Sequence, residues 1–368
     1  MDKPIFKMLI GASIVGIGVY LITGDSIIIG IALIIFGGAF FNGQVTEPGL
    51  VFIQITTTLM VVILVGRWLK METVNDTSVL SSLSILACQI TIPSVTNLQE
   101  RDAHLQNSCA KIRRKLLENS VDLVALPELS SIDYSRPAFD NLGDLAETLT
   151  GPSFEAWRQI AREFKTYIAY SFPRRTDDGI FISLAVVGPA GDLVGHYDKL
   201  HLAQYGASME KEYFQRGNHL FVFEIKGFRI APIICYDIRI PELARTLAID
   251  HDVDMILHSG AYFRDSSFYS WHQFAITRAM ENQVYFLSLN RAGDSYGNSI
   301  FCLPWMDENL TPVTFPKHNE LFKRIKITRT EIEFARENYN FLKDRLENYD
   351  LDTLDIPSPQ PSPSGRGS

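Results

Sequence analysis

Cys235 sits in Ile233-Ile234-Cys235-Tyr236-Asp237-Ile238-Arg239-Ile240-Pro241-Glu242, where an apolar run gives way to polar residues and a proline. Proline is able to open a helix, so the thiol falls on a strand-to-helix turn. Amides at a helix N-terminus stabilise a thiolate there. An isolated cysteine after two isoleucines is more often a small buried hydrophobe, so catalysis would require partners. Two upstream segments offer them. In Val121-Asp122-Leu123-Val124-Ala125-Leu126-Pro127-Glu128 an apolar strand ends in a carboxylate. In Gly195-His196-Tyr197-Asp198-Lys199-Leu200-His201-Leu202, after the turn Gly188-Pro189-Ala190-Gly191-Asp192, Lys199 ends a second strand. Open α/β sheets gather catalytic groups at strand ends. A carboxylate, an amine and a thiol converging there can act as general base, oxyanion stabiliser and nucleophile.

The elements that must position these groups follow from periodicity. A strand over Ser84–Ile90 leads to a helix about Leu98–Leu117, with Leu105, Cys109, Ile112 and Leu116 at helical spacing. Leu123–Leu126 is the strand that delivers Glu128, Phe154–Phe164 a helix, and Tyr167–Ser171 and Phe181–Val187 further strands. Alternation of this kind favours a sheet covered by helices. After a strand over Met255–His258, Ala261-Tyr262-Phe263 fall where they can line a pocket. Trp271, His272 and Phe274 read as helix packing, and His201 as a satisfied histidine. Of four cysteines, Cys88 and Cys109 read as packing residues, and with Cys235 and Cys302 they show no metal-ligand spacing. The formal net charge of −8, without a basic stripe, argues against nucleic acid as a partner.

On these residues the chain resembles the nitrilase superfamily of carbon–nitrogen hydrolases. Leu126-Pro127-Glu128, Tyr197-Asp198-Lys199-Leu200-His201-Leu202 and Cys235-Tyr236-Asp237-Ile238-Arg239-Ile240-Pro241-Glu242 are similar to the family's Glu, Lys and Cys motifs in the family's order. Trp271 with Arg278-Ala279-Met280-Glu281-Asn282, and Gly297-Asn298-Ser299-Ile300 before Pro304-Trp305, resemble its later elements. The likeness runs from about Ser84 to about Tyr349, and its Cys-Tyr-Asp form favours the amidase branches. Ile182 stands where many members carry asparagine. The resemblance implies a four-layer α-β-β-α sandwich that commonly forms homodimers or higher homo-oligomers, and it implies no metal or cofactor. It also implies roles: Cys235 as nucleophile, Glu128 as general base and acid, and Lys199 with the Tyr236 N–H as oxyanion donors. A second glutamate normally orients the lysine. Counting back from Gly217 in Met209-Glu210-Lys211-Glu212-Tyr213-Phe214-Gln215-Arg216-Gly217 favours Glu210, then Glu212, against a solvated Glu-Lys-Glu turn. Arg239 either reads a substrate carboxylate or pairs with Asp237 or Glu242. Tyr262 is the other candidate substrate-binding residue.

Before residue 70 lie three apolar runs, Ile5–Ile22, Ile27–Phe41 and Leu50–Val65, with almost no charge. They read as two to three transmembrane helices, short but sufficient to span a bilayer. Lys3 and Lys7 before the runs and Arg67 and Lys70 after them both ask to be cytoplasmic. The face carrying the catalytic domain therefore stays open. The expected organisation is a membrane-anchoring segment 1–70, a linker 71–82, a hydrolase domain 83–325, its C-terminal extension 326–350 and a disordered Pro/Ser-rich tail 351–368. The leading function is a multi-pass membrane-anchored amidase acting on a small-molecule amide. The alternatives are an acyltransferase similar to apolipoprotein N-acyltransferases, and a catalytically idle scaffold.

Overall fold

The computed structural model describes residues 8–13, 16–21, 82–206, 208–346 and 348–352. It divides into two units, Met1–Thr77 and Ser78–Ser368. In the first, β1 (Met8–Ser13) and β2 (Gly16–Leu21) pair as an antiparallel hairpin. This corrects the helix expected for the first apolar run. The run is dense in isoleucine, valine and glycine, and β-branched residues suit extended backbone better than a helix. The second and third runs, most of the linker and the Pro/Ser-rich tail lie outside the described residues. Among the described residues no helix is long and apolar enough to cross a membrane.

The second unit holds two mixed six-stranded sheets. One is built from β3 (Ser82–Gln89), β4 (Leu123–Ala125), β5 (Tyr167–Thr176), β6 (Gly179–Val187), β7 (Leu193–Asp198) and β14 (Leu321–Thr328), in the order β14-β3-β4-β5-β6-β7. The other contains β8 (Phe223–Ile225), β9 (Phe228–Ile234), β10 (Met255–Ser259), β11 (Tyr285–Leu289), β12 (Ile300–Cys302) and β13 (Val313–Thr314), in the order β13-β12-β11-β10-β9-β8. Each has a parallel centre, β3-β4-β5 in one and β9-β10-β11 in the other.

Strand alternation sorts the apolar side chains into three layers. Leu83, Ile85 and Ala87 of β3 face Ile230, Ile234, Met255 and Leu287 of the other sheet in the central layer. Leu86 and Cys88 turn outward onto the Leu98–Glu118 and Pro152–Phe164 helices, through Leu105, Ile112, Trp157 and Ile160. Ala231, Ile233, Ile256 and Phe286 turn outward onto the Pro241–Ile249 and Phe268–Asn282 helices, through Leu247, Trp271 and Ala275. The result is the expected α-β-β-α sandwich.

The two sheets are joined by polar contacts where their strands end. Ser259 Oγ donates to the Leu126 carbonyl at 2.9 Å, Ser299 Oγ to Gln89 Oε1 at 2.7 Å, and the Ala292 N–H to the Ile90 carbonyl at 2.8 Å. Ile182, where an asparagine is usual in the resemblance, is fully buried in the central layer. Polar cross-linking beside it comes from Arg174, whose guanidinium holds both Asp198 oxygens at 2.9 and 2.5 Å, and from Ser183, which donates to Asp198. The strand that presents Lys199 is thereby fixed one residue before it.

Lys199 is also held from behind. The Gly217 N–H donates to the Lys199 carbonyl at 2.8 Å, and a Cβ on Gly217 would overlap the Asp198 carbonyl oxygen. Gly217→Ala is therefore expected to cost about 1–3 kcal/mol through overpacking and to lower the Tm by several degrees. Differential scanning calorimetry checks this, and an unchanged Tm would show that the two backbones are not in contact.

Candidate active site

Glu128, Lys199, Glu210 and Cys235 arrive from four separate segments and meet at one point. Glu128 follows β4, Lys199 follows β7, and Cys235 follows β9, all at strand C-terminal ends, while Glu210 opens the one-turn helix Glu210–Tyr213. Lys199 Nζ donates to Glu128 Oε1 at 2.8 Å and to Glu210 Oε1 at 2.6 Å, and all three side chains are fully buried. The Cys235 sulfur and one oxygen from each carboxylate lie within 4.8 Å of one another. Such a set could ligate a metal, but the Lys199 ammonium already supplies the cation at its centre.

The two carboxylates are held differently. Glu210 Oε1 also accepts from the Tyr134 hydroxyl at 2.8 Å, and its Oε2 accepts the Ala203 N–H at 2.8 Å. Glu210 is thus the better of the two glutamates considered, since Glu212 is exposed and paired with Arg136. Glu128 has Oε1 on the lysine, while its buried Oε2 has no partner. Burial pushes the Glu128 carboxyl up against the pull of Lys199, and Glu210 adds to the rise. Burial also opposes the charge on Lys199, but Cys235, Glu128 and Glu210 together hold it well above the ordinary lysine value.

Cys235 has φ +46°, in the left-handed region, a conformation that costs a non-glycine residue roughly 1–2 kcal/mol. It begins a five-residue 3-10 turn, Cys235–Arg239, and the helix proper starts only at Pro241. The expected thiolate at a helix N-terminus is therefore corrected. Burial first, and then Glu128, lift the Cys235 thiol above its ordinary value, with Lys199 opposing. The thiol is protonated at neutral pH.

Three groups fix this turn. Asp237 Oδ2 accepts the Ile234 N–H at 3.0 Å and the Tyr197 hydroxyl at 2.7 Å, while Oδ1 accepts the His201 N–H at 2.9 Å and its Nδ1–H at 2.8 Å. Asp237 so ties the cysteine turn to the lysine loop, and His201 is a satisfied histidine as expected. The Cys235 carbonyl accepts from Tyr262 Oη at 2.8 Å and from His258 Nε2 at 3.0 Å. A carbonyl only accepts, so Nε2 carries the proton and Nδ1 must accept from the Ser288 hydroxyl, 2.6 Å away. Ser288 Oγ in turn accepts the Trp271 indole N–H at 2.8 Å. Burial lowers His258 to about 4, which keeps it in this neutral form.

A cavity of about 170 Å³ opens onto Cys235, walled by Tyr134, Tyr205, Tyr262, Phe263, Asp265 and Tyr296 among others. Tyr262 lines it as expected. Arg239 is not among its wall residues. Neither ion pair considered for it forms: Arg239 Nη1 donates to Ser270 Oγ at 3.2 Å, and the guanidinium lies 5.5 and 5.2 Å from the Tyr205 and Phe274 ring centres. Tyr236 stands just past the nucleophile with its ring against Tyr205, 5.6 Å between centres.

Sequence reasoning missed Arg291, His258, Tyr134 and Asp265 as site residues. Arg291 is fully buried, and its Nη2 donates to the carbonyls of Glu128, Leu129 and Ile132 at 3.0, 3.0 and 2.9 Å. It clamps the backbone that presents Glu128, including Leu129 at φ +46°. One signal was available: Asn290-Arg291 ends the apolar run Val284–Leu289 just as Glu128 and Cys235 end theirs.

A family model described as carbon–nitrogen hydrolase matches residues 85–307. The chain is 29% identical to the omega-amidase of Xenopus tropicalis over 211 residues, covering 54% of this chain and 75% of that one. It is 30% identical to a nitrilase of Pyrococcus abyssi over 189 residues, covering 51% and 68%. Among solved structures, a nitrilase-superfamily member from Saccharomyces cerevisiae superposes with TM-score 0.62 at 23% identity, over 70% of this chain and 94% of that one. A carbon–nitrogen hydrolase from Helicobacter pylori gives 0.63 at 19% identity, over 72% and 96%. Both structures share the fold.

Of the four cysteines only Cys235 is partly exposed. Iodoacetamide is expected to label Cys235 alone in the folded protein, at a rate that keeps rising beyond pH 9 as the raised thiol ionises. Intact mass against pH checks this; labelling that levels off near pH 8 would contradict the raised thiol.

Proposed function

Because the chain belongs to the carbon–nitrogen hydrolase family of the nitrilase superfamily, we propose that it hydrolyses a non-peptide amide through a Cys235 acyl-enzyme while anchored to a membrane by its apolar N-terminal runs. The observation that carries the reaction is the fully buried Lys199 bridging Glu128 and Glu210 beside the Cys235 sulfur. Bilayer anchoring rests on the absence of charge in Ile27–Phe41 and Leu50–Val65.

The chemistry follows from what each group has left to offer. The thiol is protonated, so attack on the amide carbon requires a base within reach. Glu128 Oε2, buried and without a partner, takes that proton as the sulfur bonds to carbon. The carbonyl oxygen becomes an oxyanion, stabilised by the Lys199 ammonium and by the Tyr236 N–H at the start of the turn. Glu128 then returns the proton to the departing ammonia or amine, and the C–N bond breaks to leave a thioester. In the second half-reaction Glu128 draws a proton from water, whose oxygen attacks the thioester, and the thiol is restored with release of the acid. Glu210 takes no part in the proton transfers; held by the Tyr134 hydroxyl and the Ala203 N–H, it positions Lys199. Tyr262 forms wall and holds the nucleophile's carbonyl, and Arg239 backs the Tyr205 ring.

A raised carboxyl and a base that must be unprotonated fix the sign of the pH dependence. As pH falls through the raised Glu128 value, the base fills and kcat/KM drops. The acidic limb is therefore expected above the ordinary glutamate value of about 4.3, and a limb at that ordinary value would contradict the assignment. Glu128→Gln should reduce kcat by about 10²–10⁴. Detergent-purified protein incubated with a panel of primary amides should show an acyl adduct by intact mass and released ammonia, both lost in Cys235→Ala. An adduct formed from phospholipid without ammonia would replace hydrolysis with acyl transfer. Retention of the full chain, but not of a chain lacking residues 1–70, in carbonate-washed membranes checks the anchor.

A further inference from the structure

The cavity wall carries a single formal charge, and that charge is negative. Asp265 stands in the loop after β10, among the wall residues. Its Oδ1 accepts the N–H and the hydroxyl of Ser267, at 2.8 and 2.7 Å. These contacts orient the carboxylate without neutralising it, and no arginine or lysine pairs with it among the described residues. Neither neighbouring arginine forms an ion pair with it. Arg264 donates to the carbonyls of Tyr296 and Lys317 at 2.9 and 2.7 Å and to Asn298 Oδ1 at 2.5 Å. Arg239 is off the wall, with Nη1 on Ser270, its ring neighbour Tyr205 at 5.5 Å, and Nε and Nη2 buried without hydrogen-bond partners.

The floor has the same bias, with two carboxylates to one ammonium. Around Asp265 the wall is aromatic: Tyr205, Phe263 and Tyr296, the first two 39% and 44% exposed. Aromatic faces attract cations, and a carboxylate among them completes a site for an ammonium. A carboxylate at the same place would meet like charge.

We propose that the substrate is an amide carrying a cationic group, such as a primary ammonium, at the end remote from the scissile carbonyl, and that Asp265 between Tyr205, Phe263 and Tyr296 selects it. This rests on the amidase reading above and names the substrate class for that site.

The test uses binding, so that it does not depend on turnover. The full chain carrying Cys235→Ala, in detergent, is titrated calorimetrically with a homologous series of straight-chain primary amides, each with a terminal ammonium or a terminal methyl. At the best chain length the ammonium form is expected to bind about tenfold tighter. That ratio should fall towards one with added Asp265→Asn, stay largely intact with Asp265→Glu, and shrink with salt. Equal binding of the two forms at every length, no binding of either form, or a ratio unmoved by Asp265→Asn would overturn the inference. Failure of the amidase reading shows separately, as the absence of a Cys235-dependent adduct and ammonia from the protein with Cys235 intact.

Discussion

The Lys199 ammonium, bonded at once to Glu128 and Glu210 in a fully buried site, is the interaction on which the rest depends. Two carboxylates and an ammonium removed from water carry a large desolvation penalty, which only close pairing offsets. Removing one member of such a set typically costs about 3–5 kcal/mol, because the charges left behind stay buried. The surroundings are arranged accordingly. Arg174, Ser183 and Gly217 hold the strand end that presents the lysine. Arg291 holds the backbone of Glu128, and Tyr134 with the Ala203 N–H satisfies Glu210. Within this set, what remains without a partner is Glu128 Oε2.

The nucleophile is held by its backbone as much as by its side chain. A left-handed Cys235 is strained on its own, and its conformation persists because its carbonyl is held from two directions by Tyr262 and His258. The His258 hydrogen bonds run in one direction, from Trp271 through Ser288 to the imidazole and on to the carbonyl. A neutral histidine is required for that direction, and its burial supplies it. Stacking of Tyr262 on Trp271, 4.5 Å between centres and nearly parallel, links the second holder to the same helix.

Glu128, Lys199 and Cys235 were legible in the sequence because each is a polar residue at the end of an apolar strand, a signal carried by near neighbours, whereas Glu210 came only from the resemblance, counted back from Gly217. The sandwich was legible only as alternating strands and helices; its two-sheet form came from the resemblance. Arg291 escaped because its partners lie about 160 positions away, and nothing local announces a contact at that range. His258 escaped because its role depends on Ser288 and Trp271, which approach it only when the Phe268–Asn282 helix docks. Arg239 was placed beside acidic neighbours in sequence, yet its side chain turns to two rings and a serine from other segments. In the N-terminal hairpin, apolar content indicated burial in some medium but could not choose between helix and strand.

The distribution of the site over both sheets also governs when the chemistry can exist. Glu128 and Lys199 belong to the first sheet, and Cys235 to the second. A chain emerging N-terminus first can complete β3 to β7 and hold its acid and amine in place with no nucleophile present. The thiol gains its left-handed turn only once β9 to β11 and the Trp271 helix, which come later in the chain, have packed. A partly folded chain accordingly carries its cysteine apart from Glu128 and Lys199.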